Sequence, residues 1–359
     1  MKTFEEIFTD KTKYGVKVQT SEYGKRGKYI IIDQGQSQIA GYTDREEGVF
    51  EELPVIVFGD HTRTIKYVDK PFFLGADGVK VLRSKDSNAN YKYLYYALKS
   101  AKIPDTGYNR HFKWLKKIQI NYPDNNRQEE IVQILDKVSD IIKNRESELS
   151  ALDELIKARF VEMFGDPVAN PKGLIKKTLP ELGEFGRGVS KHRPRNDEAL
   201  LGGPYPLIQT GDVANSGLYI TEYHSTYSEL GLQQSKMWDE GTLCITIAAN
   251  IAKTAILGFD ACFPDSIVGF IANEDTNNVF VHYWFSFFQE ILESQAPESA
   301  QKNINLKILS ELKVIVPNIQ EQNEFADFVV QVEKTKDTIQ KSLDETQILF
   351  DSLMQKYFG

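Results

Sequence analysis

The sequence predicts an α+β protein of two tandem, strand-rich globules, each followed by a long helix, the two helices pairing as an antiparallel coiled coil with pseudo-twofold symmetry. Three observations predict it. First, residues 123–165 and 317–359 are two 43-residue copies at a constant offset of 194, with Pro123 on Pro317, Gln128 on Gln322, Leu149 on Leu343, Leu155 on Leu349 and Phe164-Gly165 on Phe358-Gly359. Second, both copies space their apolar residues by three and four, which is the period of a helix. Third, the chain between them is broken into short β-branched and aromatic runs bounded by Gly, Asp, Asn and Pro. The parts are a first globule over 1–122, a central helix over 123–165, a second globule over 166–316 and a C-terminal helix over 317–359.

The apolar stripe of the first helix copy is Ile131, Ile134, Leu135, Val138, Ile141, Ile142, Leu149, Leu152, Leu155, Ile156, Phe160 and Met163. In the second copy it is Phe325, Phe328, Val329, Val332, Ile339, Leu343, Leu349, Phe350 and Leu353. Pro123 before Asp124-Asn125, and Pro317 before Asn318, supply start signals, because proline fits a first helical turn and short polar side chains accept its orphan amide protons. A glycine after the last apolar residue supplies the stop. About 38 helical residues make a rod of roughly 57 Å. Such a rod is not stable alone, and a second of matched length with the same stripe is its natural partner. The linker, from Asp166-Pro167 to Pro171-Lys172-Gly173, favours antiparallel pairing, since roughly ten residues cannot easily carry the chain back over about 57 Å.

The duplication extends into the globules. Thr3-Phe4-Glu5-Glu6-Ile7 resembles Thr178-Leu179-Pro180-Glu181-Leu182, and Tyr29-Ile30-Ile31-Ile32-Asp33-Gln34-Gly35 resembles Tyr205-Pro206-Leu207-Ile208-Gln209-Thr210-Gly211. Residues 57–81 run parallel to 247–271 at an offset of 190, with Thr64 on Thr254 and Phe73 on Phe263. Strands are predicted at 29–32, 53–58, 64–68, 78–82, 242–247, 254–259 and 267–271, in a curled or barrel-like sheet. Aromatic-rich helices are predicted over 90–98 and 281–288. The glycine-rich stretch 183–188 has the composition of a nucleotide loop, but no apolar strand precedes it, and it reads as a plain turn.

An apolar fraction of 41% and a charged fraction of 26% describe a globular chain long enough for sizeable cores. No stretch approaches 18 consecutive apolar residues and the N-terminus has no apolar signal core, so a cytoplasmic protein is expected. Cys244 and Cys262 lie in strand-like runs and read as reduced core residues. Loops ending in Gly-Lys-Ser/Thr, His-Glu-x-x-His and Cys-x-x-Cys are absent from the sequence, and the histidines are scattered singly, which gives no reaction centre and no metal site. Charge is unevenly spread: residues 1–122 carry 21 Lys+Arg against 15 Asp+Glu, a net +6, whereas residues 166–316 carry 12 against 18, a net −6. The first globule is thus a plausible polyanion binder as a whole, and the second only through a local patch.

The candidate binding residues lie on loops. Lys191, His192, Arg193 and Arg195, with Arg187 before them, form a basic run inside the acidic second globule, and Lys25, Arg26 and Lys28 are its counterpart in the first. Other loops are rich in amides and hydroxyls: Gln34, Gln36 and Gln38 in the first half, Gln209, Thr210 and Asn215 in the second. The tips His61-Thr62-Arg63 and Asn250 to Lys253 occupy matched places in the repeat. Gln and Asn can bond adenine bidentately, and Arg and Lys can bond guanine or phosphate, so this set suits double-stranded DNA.

Globule, helix ending in Phe-Gly, globule and helix, with Gln-x-Asn-Ile-Asn at 301–305, Leu309 and Leu312 as Leu-x-x-Leu, and Val316-Pro317 leading into Gln320-Glu321-Gln322, resemble the specificity subunit of a type I restriction-modification system. Gly211-Asp212-Val213 resembles that family's Gly-Asp-Ile element, while the first half departs from the pattern with Gly107-Tyr108-Asn109-Arg110-His111 and Gly35-Gln36 at the corresponding places. The resemblance implies two target recognition domains, each reading one half of a bipartite site through the major groove, separated by helical spacers on which two modification subunits assemble. It also implies no catalysis in this chain. The methyltransferase subunits bring S-adenosylmethionine, and the restriction subunits bring the use of ATP and Mg2+. Two alternatives differ in class. An adenine-specific DNA methyltransferase or nuclease-fused relative would need a cofactor loop and an Asn/Asp-Pro-Pro-aromatic motif, neither of which occurs; a coiled-coil protein-binding adaptor would ignore DNA sequence.

Overall fold

The structure, a computed structural model, describes residues 1–359 except 76, 249–250 and 296–305; over 290–295 only the backbone is described. The 301–305 motif and Asn250 therefore lie outside the described residues. Contacts divide the chain into two compact units, Met1–Glu146 with Lys341–Gly359, and Ser147–Gln340. Each unit holds one globule and half of each rod, so the division cuts the rods at mid-length rather than at their starts. The two cuts, after Glu146 and after Gln340, are themselves 194 residues apart.

The first unit opens on a one-turn helix, Phe4–Ile7, closed by a reciprocal cap in which Glu6 N donates to Thr3 Oγ1 and Thr3 N donates to Glu6 Oε2. A four-stranded antiparallel sheet comes next, in the order Phe8–Asp10, Val79–Ser84, Val55–Gly59, Ile65–Val68. The strand Val55–Gly59 is buried on both faces, and alternation decides where each side chain goes. Ile56 and Phe58 join the helix Tyr91–Lys99 and the rod residues Ile131, Leu135 and Phe350, while Val55 and Val57 join Ile32, Phe72 and Leu74. Those last three belong to a separate three-stranded sheet, Gly41–Thr43, Tyr29–Ile32, Phe72–Leu74, in which the final pair is parallel with Ile30 opposite Phe72. The expected single curled sheet is therefore two sheets. A parallel pairing across some forty residues leaves no local signature in the sequence.

The second unit repeats the plan. Leu179–Leu182 carries the same cap, with Thr178 N donating to Glu181 Oε2 at 2.7 Å. The main sheet has five strands in the order Gly183–Arg187, Ile267–Ala272, Leu243–Thr246, Thr254–Leu257, Tyr219–Ile220. A four-stranded sheet, Ser225–Tyr227, Leu201–Leu207, Ala261–Cys262, Met237–Trp238, packs nearby, and Cys244 and Cys262 are buried and free. The stretch 183–188, expected as a turn, is instead a strand paired with Ile267–Ala272 along its length. Its glycines mask it locally, yet Gly183 is equivalent to Phe8, the first residue of the matching strand. The helix expected over 281–288 runs over Asn278–Gln295.

Hydrogen-bond register also refines the repeat. Gly59 N donates to Thr64 O and Arg63 N to Gly59 O, as Thr246 N does to Lys253 O and Ala252 N to Thr246 O. Thr64 is therefore equivalent to Lys253, not Thr254, and the second tip is two residues longer. Arg63 and Ala252, now equivalent, both have left-handed backbones, at φ 61° and 56°.

The rods are Asn125–Phe164 and Ile319–Phe358, 40 residues each. Asp124 Oδ1 accepts from Arg127 N and Asn318 Oδ1 from Gln320 N at their starts, and Gly165, at φ +80°, closes the first. Pairing is antiparallel within each unit. In the first, the Arg127 guanidinium lies 5.7 Å from the Tyr357 ring; in the second, Phe160 meets Phe325 at 5.4 Å and Lys336 meets Asp153 at 2.7 Å. The buried stripe is narrower than expected: Ile134, Ile141, Leu155 and Leu349 are left exposed, because two helices crossing at one seam cover fewer positions than a three-and-four pattern offers. No helix of the described residues is long and apolar enough to cross a membrane.

Candidate nucleic-acid interface

In the main sheet of the first unit, Phe8–Asp10 and Val55–Gly59 end, and Ile65–Val68 and Val79–Ser84 begin, at the same edge. That edge gathers the tip 60–63, the 33–38 loop and the 103–111 loop. Thr62 Oγ1 donates to Gln34 O, His61 N donates to Gln34 Oε1 at 3.3 Å, and Asp60 N donates to Gly78 O at 2.6 Å. Arg63 is held by Asp105 at 2.7 Å, whose carboxyl is kept low first by the Gly107 amide and then by Arg63 itself. His61 stacks on Tyr108 with ring centroids 4.6 Å apart, and Tyr108 is 85% exposed. Beneath the 33–38 loop, the buried Lys66 donates to Asp33 O at 2.8 Å and Ser37 O at 2.6 Å, which fixes the loop carrying Gln36 and Gln38. Gln38 in turn donates to Tyr67 O.

The five-stranded sheet of the second unit presents the equivalent edge. The basic run leaves it at Arg187, whose Nε donates to Asp265 O, and folds back so that Arg195 and, at 3.7 Å, Arg193 pair with the Asp265 carboxylate. Gln234 Oε1 accepts from the amides of Lys191 and His192, and His192 meets Asp197 at 3.0 Å. Gln209 and Thr210 open the short helix Thr210–Asn215, whose cap joins Gln209 N to Asp212 Oδ2 at 2.8 Å. Its exposed C-terminal Asn215 is followed by Ser216 and Gly217, which line a cleft of about 240 Å³ together with Lys253 and His282.

One device occurs in both units. Asp77 and Asp265 are equivalent by strand register, each two residues before the last strand of its main sheet, and each receives a cation from the connection that leaves the first strand. The cation is Lys17 in the first unit, and Arg193 with Arg195 in the second. Lys17 was not among the residues expected from the sequence. The expected Lys25, Arg26 and Lys28 lie further along the same connection, at the far end of Tyr29–Ile32 from Gln34; Lys28 pairs with Glu46 at 2.7 Å, and Gly24 bridges to Tyr42. Two aspartates two residues before matching strands were the signal, hidden because the offset there is 188 rather than 190. Most of these cations thus carry a carboxylate in the free chain. Exposed pairs of this kind are worth only about 0–1 kcal/mol, so a phosphate can replace the carboxylate at small cost.

A duplicated chain whose two globules present the same loop-bearing sheet edge, each built onto halves of two long helices, defines a class of tandem recognition proteins. The chain belongs to the family described as type I restriction modification DNA specificity domain, whose model matches residues 2–151 and 171–347. It is 26% identical over 357 residues to the EcoR124I/EcoR124II type I restriction enzyme specificity subunit of Escherichia coli, covering 93% of this chain and 85% of that one. It is 23% identical over 351 residues to a putative type I specificity subunit of Mycoplasma genitalium, covering 92% of this chain and 87% of the relative. Among solved structures, the type I restriction-modification S subunit from M. genitalium matches all of this chain and 95% of its own with a TM-score of 0.62 at 19% identity. A chain from a study of complex assembly and conformational transition of the type I R-M system matches 99% of this chain and 95% of its own with a TM-score of 0.55 at 17% identity.

Proposed function

We propose that this chain is the non-catalytic, DNA-reading specificity subunit of a type I restriction-modification complex, each globule reading one half of a bipartite duplex site. The observation that supports it best is the repeated sheet edge with its aspartate-held cations, in a chain of this family. In this reading, phosphates take over Lys17, Arg193 and Arg195 from Asp77 and Asp265, while Gln36, Gln209, Thr210 and Asn215 face the base edges. The rods carry exposed apolar residues, among them Ile134, Ile141, Leu155 and Leu349, which two modification subunits would cover, with restriction subunits joining that assembly. S-adenosylmethionine, ATP and Mg2+ belong to those partners, and the complex works in the cytoplasm.

The test is methylation-sensitive sequencing of DNA from cells expressing this chain with its modification partner. The expected motif has two specified blocks separated by unread positions, and the purified chain alone neither methylates nor cleaves with all three small molecules supplied. A continuous motif, or either activity in a homogeneous preparation of the chain, would overturn the reading.

A further inference from the structure

We propose that residues 107–117 of the first unit form an additional DNA contact, in which Lys113, Lys116 and Lys117 hold backbone phosphates next to the hairpin tip. This rests on the DNA-reading function proposed above and assigns a site to it. The segment Gly-Tyr-Asn-Arg-His-Phe-Lys-Trp-Leu-Lys-Lys interleaves cations with aromatic rings, and no carboxylate occurs between Asp105 and Asp124. It is pinned to the tip. The fully buried His111 donates its amide to Asp60 O at 2.8 Å, Phe112 N donates to Asp60 Oδ1 at 2.7 Å, and Arg63 reaches back to Asp105. The one-turn helix Phe112–Leu115 therefore starts at the tip, and Lys113, Lys116 and Lys117, spaced by three and four, share one exposed face.

Their ammonium groups are positioned by rings. Lys113 and Lys117 lie 5.5 and 4.8 Å from the Trp114 ring, and Lys116 lies 5.2 Å from Phe112, which also receives Lys80 from the neighbouring strand. Among the described residues no carboxylate lies within ion-pair distance of Arg110, Lys113, Lys116 or Lys117, in contrast to Lys17, Lys28 and Arg63. Like charges at this spacing repel, and a bound polyanion would offset that repulsion. The feature is confined to one globule: at the repeat offset, Lys113, Lys116 and Lys117 fall on Lys307, Ser310 and Glu311, and Lys307 is paired with Glu311. It thus gives a location to part of the net +6 of residues 1–122. Its contiguity with the tip favours the duplex over an acidic protein surface as the ligand.

The experiment titrates the full chain and a Lys113→Gln/Lys116→Gln/Lys117→Gln variant against a duplex carrying the methylated motif and a scrambled duplex, over a range of salt. The slope of log K against log salt should shrink by about 2.7 on both duplexes, at about 0.9 per phosphate, with the sequence preference kept. The corresponding triple Arg variant should restore it, which excludes misfolding as the cause. An unchanged slope overturns the proposal, and so does an unchanged slope accompanied by lost binding of the modification partner, which would make the patch a protein contact. If the parent binds with no sequence preference while the slope still falls, the phosphate contact stands and the sequence-reading function fails; if the parent binds neither duplex, both fail.

Discussion

Asp265 holds Arg193 and Arg195 together, and both arginines are about half exposed. Replacing the two by Ala should therefore cost little stability but reduce the salt slope of DNA binding by about two if both reach phosphates. If one reads guanine instead, the loss is confined to particular sequences and amounts to about 1–3 kcal/mol. Unchanged affinity and slope would return the loop to an ordinary surface role. His282 offers a different handle. Its Nδ1 lies 3.0 Å from Thr254 Oγ1, and burial, helped by the Lys336 ammonium among Asp153 and Glu333, pushes its imidazole down to about 4. Because the folded value lies below the ordinary 6.5, the folded ring is neutral near pH 7 and the unfolded ring mostly so, and the pH dependence there is small. As pH falls from about 6.5 toward 4, the unfolded chain takes a proton that the folded chain refuses, and stability is lost. Between pH 7 and 4.5, urea unfolding of the parent should lose roughly 2 kcal/mol more than that of His282→Gln, part of the ring being solvent-accessible. Parallel losses in the two proteins would contradict this.

At the scale of elements, the two rods begin alike but are tied differently. Gln128 and Gln322 are both fully buried at the repeat offset. Gln322 Nε2 donates to Pro317 O at 2.9 Å and Asp275 O at 3.1 Å, and its Oε1 accepts from Asn277 N at 3.0 Å. Gln128 Nε2 donates to Pro123 O at 2.8 Å, and its Oε1 has no partner among the described residues. Substitution by Leu removes three hydrogen bonds in one case and one in the other, so Gln322→Leu should cost about 2–3 kcal/mol and Gln128→Leu about 1. Chemical denaturation followed by tryptophan fluorescence measures both; equal costs would show that the extra bonds contribute nothing net. The rods and the apolar strands were legible because period is a local property of sequence. The strand Gly183–Arg187 was not, since its residues carry little β propensity and its existence depends on Ile267–Ala272.

For the whole molecule, the contact boundary after Glu146 falls where a rod insertion is most informative. Four residues added beside Ser147 lengthen the first rod by about 6 Å and turn its downstream half by roughly 40°. If the rods set the separation of the two half-sites, the methylated motif should keep both sequences while its unread spacer grows by one or two base pairs, DNA rising about 3.4 Å per pair. Altered half-sites with a constant spacer would contradict the ruler.

The duplication, the paired rods, the apolar strands and the unequal charge of the globules were determined by the sequence itself. They are properties of residue type and regular spacing, and the exact offset of 194 between the rods made the duplication visible. Tertiary structure alone decided that Lys17 rather than Lys28 meets the repeated aspartate, that Lys66 is buried under the 33–38 loop, and that Lys113, Lys116 and Lys117 stand beside the tip without a counter-charge. Each depends on how far a loop travels between strands and on which distant strand it meets. Loop lengths differ between the two halves and the parallel pairings span tens of residues, so neither spacing nor residue type encodes those meetings.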